Sequence, residues 1–77
     1  MNNRNFMVDR NKFETKTGRD LFDILYKISN NDAFLYFVFS NLIGDKNKQK
    51  MIDVINSGIT DEDQIVFYSM DIANGKI

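Results

Sequence analysis

The sequence predicts an all-α fold, or one nearly so: about four short helices after a non-helical N-terminal arm, with the central helix largely buried. Three observations lead there. Beyond residue 17, apolar residues recur at three- and four-residue spacing over most of the chain. Gly18, Gly44, Gly58 and Gly75 stand singly, each near the end of one of those periodic stretches. Proline is absent, so nothing interrupts the helical periods from within.

The chain divides into an arm or short strand, residues 1–16, and a helical domain, residues 17–77, forming one domain overall. The arm shows no helical period, and its apolar cluster Phe6, Met7, Val8 suits either pairing as a strand or lying over the core. Thr17 followed by Asp20 resembles a helix N-cap with an acidic third residue, and predicts a helix over Gly18–Ser29. Leu21, Ile24, Leu25 and Ile28 line one face of it, with Phe22 and Tyr26 alongside. Asn30, Asn31 and Asp32 then supply a break and a new cap.

The stretch Ala33–Ile43 is apolar on nearly every side, and its aromatic and branched residues also favour strands. Its length decides for helix: eleven residues between an Asx cap and Gly44 make three turns, whereas a strand would have no obvious partner. Asp45 is expected to cap a third helix, with Met51, Ile52 and Ile55 inward and Ser57–Gly58 ending it. Thr60 with Asp63 repeats the capping pattern and opens a fourth helix. There Ile65, Val66, Ser69, Met70 and Ala73 form one stripe and Gly75 closes it.

Composition narrows the functional classes. At 77 residues the chain sits where one core gives a thin stability margin, yet Cys and His are both absent. Disulfides, structural zinc and haem ligation are thereby excluded, as are triads, thiol nucleophiles and imidazole acid–base pairs. The glycines form no phosphate-cradling loop, and the carboxylates cluster at helix starts, where capping accounts for them. No enzymatic activity, cofactor or metal is expected. The longest apolar run, Ala33–Phe39, is far short of the roughly 20 residues of a membrane span. With no signal-like leader, a cytoplasmic location is expected. Ten asparagines with many Lys, Ile and Phe fit an AT-rich coding sequence of the kind carried by low-GC bacteria and their phages.

Three patterns resemble known sites in part. Asp45, Asn47 and Gln49 imitate the first ligands of a calcium loop, but Lys50 stands where the turn needs Gly and Asn56 where a bidentate Glu is needed. The junction from Val54 to Thr60 has the grammar of a helix-turn-helix turn, yet the following helix would present Asp61, Glu62 and Asp63 to phosphates. Residues 1–19 carry a net charge of +3, and Arg10, Lys12, Lys16 and Arg19 surround Phe13, a pattern that suits nucleic acid. A ribbon-helix-helix dimer would place such an arm on DNA, although the pI of about 5.2 is weak electrostatics for that task.

Residues 60–72 carry a net charge of −4, and the Ala33–Ile43 helix has more apolar surface than one stripe can hide. The expectation is a small non-enzymatic regulator or inhibitor that binds a protein partner, or forms a homodimer. The acids Asp61, Glu62, Asp63 and Asp71, together with Tyr36, Phe37 and Phe39, are the candidate contacts. The alternatives are a dimeric DNA-binding regulator using the basic arm, and a structural subunit of a larger assembly.

Overall fold

The computed structural model describes residues 15–77, which form four α-helices: α1 (Lys16–Ile28), α2 (Asp32–Asn41), α3 (Asp45–Asn56) and α4 (Glu62–Ala73). There is no strand among the described residues. The arm's choice between strand and overlay lies outside them.

Three of the four helices start where a side chain satisfies an unpaired N–H group, and the caps of α1, α3 and α4 differ from expectation. For α1 the cap is Thr15 rather than Thr17: its Oγ1 accepts a hydrogen bond from Gly18 N at 3.1 Å, and the helix begins at Lys16. Thr17 lies inside the first turn, and Asp20 instead holds Lys16 at 2.7 Å, an i,i+4 pair on the surface. Asn31 caps α2 as expected, its Oδ1 accepting from Ala33 N at 2.9 Å. At α4 the cap is Asp61 rather than Thr60, its Oδ2 accepting from Gln64 N at 3.1 Å. A carboxylate beside the positive end of the helix is a stronger acceptor there than a hydroxyl.

Gly44 also takes a different role. Helix α2 ends at Asn41, with Leu42 extended beyond it, and Gly44 starts α3 as its N-cap with φ +85° and ψ 157°. No side chain caps that start. Asp45, expected as the cap, is the first residue of α3 and accepts a hydrogen bond from Thr15 Oγ1 at 2.8 Å. Lys48 reaches back to the carbonyl of Leu42 at 3.0 Å, so α3 supplies a cation to the end of α2.

The two remaining stops are as the sequence implies. Ser57 and Gly58 end α3, with Gly58 N donating to the carbonyl of Ile55 at 3.0 Å. Gly75, at φ +76°, closes α4 in a Schellman motif: Gly75 N donates to Ile72 O at 3.1 Å and Lys76 N to Asp71 O at 2.8 Å.

The helices close a ring in the order α1, α3, α4, α2, with α2 returning to α1. Inside it lie Leu21, Leu25, Leu35, Val38, Met51 and Ile65, all fully buried, with Phe22, Phe34, Leu42, Ile52, Ile55 and Ile72 around them. Ser69 is the one buried polar side chain among the described residues; its Oγ donates to Val66 O at 2.7 Å and accepts from Asn41 Nδ2 at 3.1 Å. No described helix is long and apolar enough to cross a membrane.

Candidate partner-binding faces

Packing sorts the apolar residues of α2 by angle around the helix. Phe34, Leu35 and Val38 point into the ring, and Leu42 follows them just past the helix end. Tyr36, 58% exposed, and Phe37, 43% exposed, lie on the opposite side with Ala33 and Ser40. Thus α2 is only partly enclosed, and its outward side is aromatic. Phe39 does not belong to that side. It packs half-buried against the core and meets the Phe22 ring at a centroid distance of 6.3 Å, so it is a packing residue rather than a surface anchor.

On α4 the inward stripe is Ile65, Ser69 and Ile72, with Val66 and Tyr68 at its margins. Met70 and Ala73, expected on the buried stripe, are exposed. Two stripes share Ile65 and Ser69, and periodicity does not choose between them. Turning Ile72 inward in place of Ala73 removes more apolar surface from water, and the helix is oriented accordingly. The same rotation turns Phe67 outward, 65% exposed, next to Met70 at 39%. Sequence reading singled out neither as a surface residue. The available signal was Phe67 itself, which falls opposite Ile65 and Ser69 on a helical wheel.

The four acids of this region do not occupy equivalent positions. Asp63 is exposed on the outward face of α4, one turn before Phe67. Asp71 is half-buried, four residues beyond Phe67 and one after Met70. Glu62 is half-buried in the first turn, and one oxygen of Asp61 is committed to its cap. The outward side of α4 is therefore an apolar pair, Phe67 and Met70, with Asp63 and Asp71 at its edges and no cation anywhere between residues 60 and 72.

Of the basic set, Arg10, Lys12 and Phe13 lie outside the described residues. Lys16 is exposed and paired with Asp20, and Arg19 is half-buried on α1. The helix-turn-helix-like junction is an ordinary capped connection in which Ile59 packs against the core. In the calcium-like stretch that begins at Asp45, Asp45 accepts from Thr15, and Gln49 donates to Asp53 at 3.0 Å.

Fold and faces together define a small four-helix bundle with outward-facing aromatic residues on two neighbouring helices. Compared with protein-family models, curated proteins and solved structures, the chain matches none of them.

Proposed function

We propose that this chain is a small regulator or inhibitor, of bacterial or phage type, that works by binding a protein partner rather than by catalysis. The observation that carries the reading is the outward face of α4, where Phe67 and Met70 are exposed between Asp63 and Asp71. Exposed apolar groups edged by charge of one sign are the usual composition of a recognition surface: the apolar centre supplies affinity and the charged rim supplies orientation and on-rate. A partner suited to it carries a shallow apolar depression edged by Lys or Arg. Tyr36 and Phe37 provide a second aromatic face on α2, which supports self-association or a larger contact area.

The test is affinity capture on the immobilised full chain, comparing wild type with two variants. Phe67→Ser with Met70→Ser removes the apolar pair; Asp63→Asn with Asp71→Asn removes the rim charge and leaves the Asp61 cap intact. A protein retained by wild type and lost with both variants supports the reading. Capture that is unchanged by both overturns it. Light scattering on the same samples reports self-association, which Tyr36→Ser with Phe37→Ser should abolish if α2 is the seam.

A further inference from the structure

Backbone bonds hold the end of α4. Asn74, exposed at φ −90° and ψ 4°, donates its N–H to Met70 O at 3.0 Å. Gly75 N donates to Ile72 O and Lys76 N to Asp71 O, the two bonds of the Schellman turn. Beyond the turn, Lys50 Nζ of α3 donates to Ile77 O at 2.8 Å. Ile72, two residues before Asn74, lies in the core, so the turn secures a buried residue. Asn74 is also the one asparagine of the chain that is followed by glycine. Elsewhere, Asn41 is half-buried and bonded to Ser69, the Asn31 side chain caps α2, and Asn56 precedes Ser57, whose Cβ shields its nitrogen.

We propose that Asn74–Gly75 is a self-modification site, at which the Asn74 amide converts to a carboxylate and the end of α4 is thereby unlocked. The Gly75 backbone nitrogen attacks Asn74 Cγ, its proton passing to hydroxide. The Cγ–Nδ2 bond breaks, and Nδ2, protonated by water, leaves as ammonia. Water then adds to either carbonyl of the resulting five-membered imide and opens it to aspartate or isoaspartate. The net change is amide to carboxylate, with no oxidant or cofactor. Glycine leaves the attacking nitrogen unshielded, because it carries no Cβ. The surroundings are open as well, since nothing lies within 4 Å of where a Gly75 Cβ would stand. The turn itself is the gate. Closing the imide needs rotation about ψ of Asn74, which breaks the bond from Gly75 N to Ile72 O. Conversion therefore proceeds from the frayed helix end. Its products favour that frayed state: a carboxylate at the C-cap meets the negative end of the helix dipole. Isoaspartate also adds a carbon to the main chain, which puts both bonds of the turn out of register. The change is one-way and accumulates as the protein ages. It rests on this turn and not on the α4 face proposed for a partner.

The test is prolonged incubation of the purified full-length protein at one mildly alkaline pH, followed by peptide mass mapping. Asn74 should gain one dalton ahead of every other asparagine, in part as isoaspartate. The shift in intact mass should fall at least threefold in Asn74→Gln, whose longer side chain would have to close a six-membered ring. Conversion at Asn74 should be at least threefold slower in the folded protein than in the same chain under denaturing urea. Converted chains, separated by ion exchange on their added charge, should melt below unconverted ones. Conversion led by another asparagine, a mass shift unchanged in Asn74→Gln, equal rates folded and unfolded, or coincident melting of the two fractions overturns the proposal.

Discussion

The hydroxyl of Thr15 serves two helices at once: it accepts the N–H of Gly18, 3.1 Å away, and donates to Asp45 Oδ1, 2.8 Å away. The start of α1 is thus tied to the start of α3, thirty residues on, through a hydroxyl that accepts and donates at once. Because the acceptor is a carboxylate in the first turn of α3, the bond is charge-assisted and holds a negative charge where the helix dipole favours one.

Thr15→Ala should lose both contacts. Loss of a cap costs about 1 kcal/mol, and in a domain of this size that lowers Tm by roughly 4–8 °C. Thr15→Ser should stay close to wild type. In the Thr15→Ala background, Asp45→Ala should cost less than it does alone, because the shared bond is already gone. Thermal melts of the four chains check this, and strictly additive losses would contradict the coupling.

Ser69 and Asn41 form the polar tie between α4 and α2 in an otherwise apolar interior. Ser69→Ala leaves the half-buried Asn41 amide without this acceptor and should destabilise by about 1–3 kcal/mol, although Ala is the better helix former. Adding Asn41→Ala should recover part of that loss, since the orphaned donor is then removed as well. Urea unfolding of the single and double variants measures the difference.

Gly44 holds φ +85° and ψ 157°, a region open to glycine and strained for L-residues. A Cβ placed there meets nothing within 4 Å, so the penalty of Gly44→Ala is one of backbone conformation alone. It should amount to about 1–3 kcal/mol. A synthetic chain with D-alanine at this position should match or exceed wild-type stability, because D-residues favour positive φ. Equal melting of the L- and D-variants would refute the account.

Burial separates neighbours on α2. Leu35 is fully buried, and Leu35→Ala should cost about 2–5 kcal/mol, enough to leave a domain of this size largely unfolded at 37 °C. Next to it, Tyr36→Ser and Phe37→Ser should change stability by no more than about 0.5 kcal/mol each, as exposed positions do. Circular dichroism melts test the contrast, and comparable losses at all three positions would show that the outward side of α2 is enclosed.

Much of the helical plan was legible in the sequence, because the signals that start and stop helices act within a few residues. Asn31 ahead of an apolar run, Ser57–Gly58 and Gly75 each fix an end through their own backbone and side-chain chemistry. The absence of Cys and His likewise removed whole classes of chemistry without reference to any fold. Tertiary structure decided among local candidates of similar merit. Thr15 displaced Thr17 as the α1 cap, and its hydroxyl also reaches Asp45, a partner invisible to local pattern. Gly44 passed from the end of α2 to the start of α3, where its positive φ sets the turn between them. The α4 stripe turned toward Ile72, exposing Phe67 and Met70, because burial is settled by the neighbours α2 and α3 and not by the period of the helix alone. Capping is satisfied within one turn of chain; which side of a helix is hidden depends on what is packed against it.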